Sequence, residues 1–286
     1  MAFRAVLPAD LDPVQTNALL TGGVAPRPIA LASTVSADGI RNLAPFSFFN
    51  AFGSNPPMLA FAPNRRGRDG SVKHSYRNAV SVGEFVIAAV THAMVQQMNL
   101  ASAEYPDGVD EFAKSGLTPR PARFVRPALV DESPFQMECR LHQELRLGDG
   151  PGSGLLLVGE VLCFHLREDC LEDGILHPQR LDLVGRNGGS FYTRASGAAI
   201  FRLAKPEGQP IGFDALPEVL KRSRILTGND LGRLANSPEL PDLSAAEARP
   251  GDPRDAEGLE HALRQALARQ DRGEAWRLAG LRLRLG

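Results

Sequence analysis

The first two-thirds of the chain alternates short apolar, β-branched and aromatic runs with clusters of glycine, proline and asparagine, which is the pattern of successive short strands. PIALASTVSADGIRNLAPFSFFNAF predicts a strand, a turn at Ala37-Asp38-Gly39 and a returning strand. Further strands are predicted in PPMLAFAP, at Glu84–Val90, in PALVDESPFQMECRLHQELRLG and in GLLLVGEVLCFHLRED. About five or six strands with few helices between them predict a closed or nearly closed antiparallel barrel.

The remainder of the chain is richer in prolines and turn dipeptides. Short helices are predicted at Leu216–Arg222 and Gly228–Ala235, and Pro241–Gly258 is predicted to be a mobile linker. We therefore divide the chain into a β-rich domain over residues 1–205 and a helical C-terminal extension over residues 206–286.

The final stretch, LEHALRQALARQDRGEAWRLAGLRLRL, predicts a terminal amphipathic helix. Its apolar face is expected to pack on the barrel or on a second subunit. A membrane-surface helix is less favoured, because Glu260, Asp271 and Glu274 interrupt the positive face. The apolar face carries Leu259, Leu263, Ala266 and Leu267.

Composition narrows the class of protein. The chain has 286 residues with 43% hydrophobic and 23% charged content, as ordinary globular proteins do. Its formal net charge of −1 argues against a dedicated nucleic-acid binder. No segment approaches the roughly 18 apolar residues of a membrane span, and MAFRAVLPADLDPVQ lacks the apolar core of a signal peptide. We expect a cytoplasmic protein with no membrane or nucleic-acid partner.

The side chains offer no self-sufficient catalytic set. GPGSGL lies between two predicted strands, so it fits a hairpin loop better than the strand-to-helix elbow of a serine hydrolase. The six histidines are scattered and no GxGxxG is present. Cys139, Cys163 and Cys170 lack CxxC spacing, so buried free thiols are expected and no metal site is predicted. Chemistry is therefore expected from a bound cofactor.

Two neighbouring stretches suit a flat ligand that carries an anionic group. Asn42–Asn50, NLAPFSFFN, combines apolar side chains with amides and a hydroxyl. RRGRDGSVKHSYRN, predicted to be a polar loop, places Lys73 and Ser75 two residues apart among several arginines, and these groups are typical of phosphate sites. The alternative for this basic stretch is a solvated loop without a ligand.

These stretches resemble the flavin reductase-like, FMN-binding split-barrel family, which includes flavoredoxin. The resemblance covers roughly residues 20–205 and rests mainly on PRPIALASTVSADGIRNLAPFSFFNAFGSNPPMLAFAP and VKHSYRN. PDGVDEFAKSGLTP and VGRNGGSFYTR also match family segments. The family's K-D-T-x-x-N turn reads KHSYRN here, so His74 replaces an acid and Ser75 keeps the hydroxyl. The resemblance implies a mainly β fold, a split β-barrel of Greek-key type with peripheral helices.

The resemblance also implies an FMN site along the NLAPFSFFN strand. The residues implied to line the isoalloxazine ring are Asn42, Ala44 and Pro45. Those implied to pass the ribityl chain are Ser47, Phe48 and Asn50, and those implied to hold the phosphate are Thr34, Lys73 and Ser75. Strand alternation places Phe46 and Phe48 on one face and Phe49 on the other, with at least one of them only in the core.

Arg186 and Tyr192, in VGRNGGSFYTR, are further candidates for cofactor binding. The arginine could meet a phosphate of a nicotinamide cofactor, and the alternative is a glycine-rich surface turn. His74, His142, His165 and His177 could donate a proton to reduced flavin or be structural. No catalytic acid or base is required of the protein.

The resemblance implies an NAD(P)H-dependent flavin oxidoreductase. Hydride would pass from NADH or NADPH to FMN, and electrons would continue to oxygen, free flavin, an iron complex or a partner protein. A homodimer with flavin near the subunit interface is also implied. Three alternatives stay open: a flavoredoxin-like electron carrier, an FMN-binding store or sensor without turnover, and an interaction module that has lost flavin.

Overall fold

The structure is a computed structural model that describes residues 2–206 and 208–285. The chain forms two compact units, Met1–Phe201 and Arg202–Gly286. The change of unit falls close to the domain boundary predicted after residue 205, which stays a prediction.

The first unit is built on a seven-stranded sheet in which all neighbouring strands are antiparallel. Its strands are β1 (Ala30–Val35), β2 (Arg41–Phe46), β3 (Phe49–Ser54), β4 (Pro57–Phe61), β5 (Glu84–Ala89), β8 (Phe135–Arg146) and β9 (Leu155–Leu166). Their order across the sheet is β2-β1-β5-β8-β9-β4-β3. Three small pairs accompany it: β6 (Pro119–Arg120) with β7 (Leu129–Val130), β10 (Leu171–Glu172) with β11 (Ile175–Leu176), and β12 (Val184–Arg186) with β13 (Tyr192–Arg194).

The two edges of the large sheet are formed by one continuous segment. β2 pairs with β1 and β3 pairs with β4, yet only Ser47 and Phe48 separate β2 from β3. The sheet must therefore curl so that both of its edges reach the same segment, and the predicted split barrel is confirmed. The single strand predicted over NLAPFSFFN is wrong in one respect, since it breaks at this two-residue bend.

The hairpin that leads into this segment forms as predicted. β1 and β2 pair from Ala30↔Phe46 to Val35↔Arg41. Gly39 lies in the turn at φ +86°, a conformation that glycine adopts without steric cost. The position of Asn42 at the start of β2 is therefore fixed by local turn chemistry.

Two apolar cores flank the sheet. Inside the barrel, the ring centroids of Phe46 and Phe61 are 5.5 Å apart, and those of Phe61 and Phe85 are 5.2 Å apart. A second core includes Met94 and Met98. Helices of the first unit are α1 (Pro13–Gly23), α2 (His74–Val82), α3 (Val95–Leu100), α4 (Glu111–Ser115) and α5 (Pro178–Leu181).

The second unit has its own helical core. Its helices are α6 (Glu218–Lys221), α7 (Gly228–Ala235), α8 (Ala256–Ala268) and α9 (Arg272–Leu283). The terminal helix predicted as one is two, because Gln270 turns the chain at φ +61° and the Asp271 side chain caps α9 by accepting from the Glu274 N–H. The predicted apolar face is buried within this unit's core, so it supplies no docking surface for a second subunit.

The segment predicted to be a mobile linker packs against α9. Asp252 makes two hydrogen bonds with the guanidinium group of Arg277, at 2.6 and 2.8 Å. Ala246, in the same segment, is buried in the unit's core. Within residues 2–206 and 208–285, no helix combines the length and apolarity that a membrane crossing needs.

Candidate functional site

An elongated cleft lies along β2 and its bend. It consists of two cavities with about 520 and 380 Å³ of empty space, both lined by Pro45, Phe46 and Ser102. Of the predicted residues, Asn42, Ala44, Lys73 and Ser75 line the first cavity with Pro45. Ser47, Arg186 and Tyr192 line the second with Pro45.

The first cavity has a basic end at the start of α2. Lys73 is the N-cap residue, and no side chain caps the helix, so its first-turn N–H groups carry the positive end of the helix dipole. The Lys73 ammonium lies 5.2 Å from the centroid of the Phe46 ring. Burial lowers the pKa of Lys73, and the charge of Arg66 acts in the same direction. An anionic group would be favoured here because it would stabilise the ammonium and the helix terminus together.

A buried hydrogen-bond chain fixes the floor of this cavity. The Asn42 amide donates to the hydroxyl oxygens of Thr34 and Ser75, at 2.9 Å each. Ser75 is 1% exposed and lies within α2, so its predicted place on a polar loop is wrong. Thr34 lies behind Asn42 and outside the residues that line the cleft. Thr34 and Ser75 therefore orient the amide that faces the cavity.

The opposite wall is a strap, residues 101–110, that ion pairs tie to the barrel. Glu104 lies 3.2 Å from Arg66 and 2.8 Å from Arg68. Near the end of the strap, Asp110 lies 2.7 Å from Arg41. Sequence reasoning missed this wall, whereas the cavity residue Arg66 belongs to the basic stretch that the sequence did single out. The acidic residues of SAEYPDGVDE were visible in the sequence, but the arginines that they pair with lie far from them along the chain.

His74, where the chain departs from the family motif, also contacts the strap. Its Nε2 lies 2.7 Å from a carboxylate oxygen of Asp107, which also meets Arg77 at 2.5 Å. Burial lowers the pKa of His74; the carboxylate of Asp107 opposes this change, whereas the charges of Arg77 and Arg66 reinforce it.

A pH dependence follows from the lowered pKa of His74. The folded state favours neutral imidazole, so this contribution to stability is present above the unfolded pKa and is lost as pH falls through the folded pKa. We expect His74→Gln to reduce the drop in unfolding free energy between about pH 7.5 and pH 5.5, where histidines titrate. Urea denaturation at both pH values measures this difference, and an unchanged drop in the variant would contradict it.

Glu111 is a further cavity residue that the sequence did not single out. It is buried on α4, and its Oε2 accepts from the N–H of Leu43 at 3.1 Å. Because β2 is an edge strand, this N–H needs a partner outside the sheet. Burial raises the pKa of Glu111, and the hydrogen bond from Leu43 opposes the rise. The structure explains this carboxyl group as a cap for β2.

The second cavity is bounded by the β12–β13 hairpin, in which Arg186 is directly opposite Tyr192. The Arg186 guanidinium lies 4.7 Å from the centroid of the Tyr192 ring and donates to the Tyr192 hydroxyl. It also donates to the Gly189 carbonyl oxygen at 2.7 Å. The structure thus places both predicted residues on the cleft.

Arg27, in the PRPI stretch, holds the bend between β2 and β3. Its side chain is buried, and its Nε donates to the Ser47 hydroxyl at 3.3 Å. Its guanidinium carbon lies 5.9 Å from the centroid of the Phe48 ring. Its other hydrogen bonds go to the carbonyl oxygens of Thr21 at 2.5 Å, Val24 at 2.9 Å and Asn187 at 3.2 Å. The PRPI stretch indicated a strand but did not reveal that Arg27 holds the bend between β2 and β3.

Two predicted cofactor-binding residues at the bend, Phe48 and Asn50, lie away from the cleft. Phe48 is exposed and Asn50 accepts a hydrogen bond from the Ala51 N–H at 2.8 Å, and neither lines the cleft. Phe46 is buried in the barrel and Phe49 packs against the same core. The predicted alternation of Phe46 and Phe48 against Phe49 is wrong, because strand periodicity does not continue through a bend. Contact of Phe48 and Asn50 with a flavin stays a prediction.

One cluster of potential metal ligands lies outside the cleft, at Glu138, Cys163 and His165. The Glu138 carboxylate already accepts from His165 Nε2 at 2.6 Å and from the N–H groups of Arg123, Phe124 and Val125 at 2.9, 2.6 and 3.1 Å. This buried carboxylate therefore has a structural explanation as the anchor of the 123–125 loop.

A curled antiparallel sheet with a part-apolar, part-basic cleft along its edge-forming segment defines a split-barrel protein. The chain belongs to the flavin reductase-like family, since the family model described as flavin reductase like domain matches residues 22–182.

Solved structures support the same assignment. Nitrilotriacetate monooxygenase component B from Bacillus cereus is 31% identical, covers 71% of this chain and 100% of its own, and has a TM-score of 0.67. The 2-nitrobenzoate 2-nitroreductase of Pseudomonas fluorescens is 26% identical, with 72% and 98% covered and a TM-score of 0.63. Flavoredoxin of Desulfovibrio vulgaris (Miyazaki F) is 26% identical, with 63% and 90% covered and a TM-score of 0.53. The predicted family is confirmed.

Proposed function

We propose that this protein binds FMN and, as a flavin reductase-type enzyme, passes electrons from NADH or NADPH through FMN to a second acceptor. The observation that carries the proposal is a pair of adjoining cavities that share Pro45 and Phe46 as wall residues, with Lys73 at the uncapped start of α2 at the end of the first. An isoalloxazine ring needs apolar faces with few polar contacts, and a phosphate needs charge-assisted donors.

The residues present fit FMN in kind and in position. Lys73 and the first turn of α2 would hold the phosphate, and Asn42, fixed by Thr34 and Ser75, would present its amide to the ligand. Ala44 and Pro45 would follow the rest of the ligand along β2, and Ser47, at the bend, would lie where the ligand meets the second cavity. When bound, FMN supplies the electron-transfer chemistry, and this chain binds, orients and shields it.

The neighbouring structures support a second acceptor without naming it for this chain. One neighbour is named as component B of a monooxygenase and another as a nitroreductase, and these names describe different reactions. We therefore propose the reaction class and leave oxygen, free flavin, an iron complex or a partner protein as possible acceptors.

We also propose that the protein is a homodimer. The second unit's apolar helix face is buried in its own core, so support comes instead from β9, where Leu162, Phe164 and Leu166 point outward. Phe164 is 48% exposed although it stacks on Phe135 at a centroid distance of 6.1 Å. Neighbouring exposed apolar side chains of this kind mark interaction surfaces. The cytoplasmic location stays a prediction, as does the absence of nucleic-acid and membrane partners.

The test is a visible absorption spectrum of the FMN-loaded protein under anaerobic conditions, before and after NADH or NADPH is added. We expect flavin bands that survive desalting and bleach with at least one nicotinamide. No retained flavin after soaking in FMN would contradict the proposed tight site.

The similarity to flavoredoxin favours one second candidate, an electron carrier that receives electrons from a protein donor. For that candidate, the flavin bands would persist with both nicotinamides and bleach with dithionite or a reduced protein. Bands that also resist a protein donor would favour an FMN store or sensor.

A further inference from the structure

Arg186 lines the second cavity, and the buried Arg27 lies behind its wall, where it holds the lining residue Ser47. Neither guanidinium group has an acidic partner among the described residues. Arg27 and Arg186 are linked by reciprocal backbone hydrogen bonds, 2.8 Å from Arg27 N to Arg186 O and 2.9 Å from Arg186 N to Arg27 O. Within the described ranges, every side-chain hydrogen bond of these two arginines goes to a neutral oxygen of a hydroxyl or carbonyl group. Each arginine therefore contributes an uncompensated positive charge.

Most other arginines of the first unit form an ion pair with a carboxylate. Arg194, on the same β12–β13 hairpin, makes two hydrogen bonds with the Asp182 carboxylate, at 2.7 and 2.8 Å. On the strap side, Arg41, Arg66 and Arg77 each meet a carboxylate. Because a buried cation is costly without an anion, the pair at Arg27 and Arg186 is a local exception.

The burial of Arg27 strengthens the electrostatic effect of its unpaired charge. Arg27 is only 6% exposed. Burial lowers its pKa, and the nearby charge of Arg186 lowers it further, so the two groups repel each other. An oxyanion at the mouth of the cavity would relieve this repulsion and would be weakly screened by solvent.

The other residues that line the second cavity indicate which kind of anionic ligand would fit there. Its walls include Ile29, Pro45, Phe46 and Met98, which are apolar, and Ser47, whose hydroxyl is fixed by Arg27. Arg186 lies at the cavity with its guanidinium set by Tyr192 and Gly189. The arrangement suits a flat, apolar group with a carboxylate or phosphate at one end.

We propose that the second cavity is an anion subsite in which Arg186, set by Tyr192 and backed by Arg27, receives the carboxylate or phosphate group of a planar second substrate. The proposal rests on the proposed function in one respect, that this second substrate meets flavin in the adjoining cavity. Arg186 is the specificity-determining residue, and Tyr192 and Arg27 are positioning residues.

Isothermal titration calorimetry with matched ligand pairs tests the subsite without depending on turnover. Benzoate and benzamide share a shape and differ in charge, and adenosine 2′,5′-bisphosphate and adenosine 5′-monophosphate differ by one phosphate. The full chain is titrated both FMN-loaded and as purified. We expect the more highly charged member of at least one pair to bind about tenfold more tightly, as one charge-assisted hydrogen-bonding contact provides.

Variants test whether Arg186 causes the preference for the more highly charged ligand. Arg186→Gln should abolish the preference and keep a donor for the Gly189 carbonyl oxygen, whereas Tyr192→Phe should reduce it. Arg194→Gln is the matched control, because it removes an arginine from the same hairpin whose charge Asp182 already neutralises. The control should keep the full preference.

Each outcome has a defined meaning. If only benzoate is preferred over its neutral partner, the second substrate is an aromatic carboxylate. If only the bisphosphate is preferred over the monophosphate, the second substrate is NADPH, which carries the same 2′-phosphate. Either preference supports the subsite if Arg186→Gln removes it. Equal binding within both pairs, or a preference that persists in Arg186→Gln, overturns it. Flavin retention after desalting is recorded separately, so failure of the FMN proposal remains distinguishable from failure of the subsite.

Discussion

Lys73→Met is expected to weaken FMN binding by about 10- to 100-fold and to leave riboflavin binding nearly unchanged. The Lys73 ammonium lies above Phe46 beside the free start of α2, with no carboxylate bonded to it among the described residues. A phosphate placed there would gain a charge-assisted contact that methionine cannot provide. Riboflavin has the same ring and ribityl chain without the phosphate, so it isolates that contact.

The measurement is quenching of flavin fluorescence on titration with the protein, for both ligands and both proteins. Arg140→Met is the matched control, because Arg140 on β8 is exposed, pairs with Glu160 at 2.8 Å and lines neither cavity. We expect no stability loss from Lys73→Met, since burial already disfavours the lysine's charge. An equal loss for riboflavin and FMN would show that Lys73 supports the fold of the site and does not hold the phosphate.

Ser75→Ala is a different experiment from Lys73→Met, and combining them would obscure the result. Ser75 is buried and accepts from the Asn42 amide, so its loss leaves a buried donor with one partner fewer. An unsatisfied buried group of this kind costs about 1–3 kcal/mol. Lys73 alone therefore gives the cleaner test of the phosphate assignment.

Much of the first unit could be predicted from local sequence, because its strands and turns carry local signals. Apolar, β-prone runs located the long strands, and the Asp-Gly turn located the β1–β2 hairpin. Lys73 and Ser75 were found because they share one short stretch with the start of α2. The family resemblance then connected that stretch with Asn42 on a different element.

Other features depend on contacts between distant parts of the chain. The Ser47–Phe48 bend is held by Arg27, whose remaining partners come from α1 and from the β12–β13 region. The strap is held by ion pairs such as Arg66 with Glu104. Periodicity and propensity describe neighbours in sequence, so neither could reveal these contacts. The break at Gln270 was missed for another reason, since helical periodicity continues on both sides of it.

Gly159→Ala is expected to produce the largest loss of stability in the first unit. Gly159 lies on β9, and a Cβ atom built on it would be 2.3 Å from Cζ of Phe85. The Phe85 ring is 0% exposed and packs edge-on against Phe61 at 5.2 Å, so it has no free space to enter. We expect a loss of about 2–3 kcal/mol in unfolding free energy, because overpacking forces neighbouring side chains from their rotamers.

The clash also connects the core with the cleft. Phe85 packs on Phe61, Phe61 packs on Phe46, and Phe46 lines both cavities. Displacement of Phe85 should therefore reach the wall of the ligand site, and FMN affinity should fall together with stability. Urea denaturation followed by near-ultraviolet circular dichroism measures the first effect, and flavin fluorescence measures the second.

A double-mutant cycle separates the clash from any intrinsic effect of alanine. Phe85→Leu alone should destabilise the barrel by leaving a cavity, whereas Gly159→Ala should cost much less in the Phe85→Leu background, because the shorter side chain leaves room for the new methyl group. Gly67→Ala is the neutral control, since nothing lies within 4 Å of the added carbon. If Gly159→Ala costs the same in both backgrounds, the close approach of β9 to Phe85 is not what glycine preserves at this position.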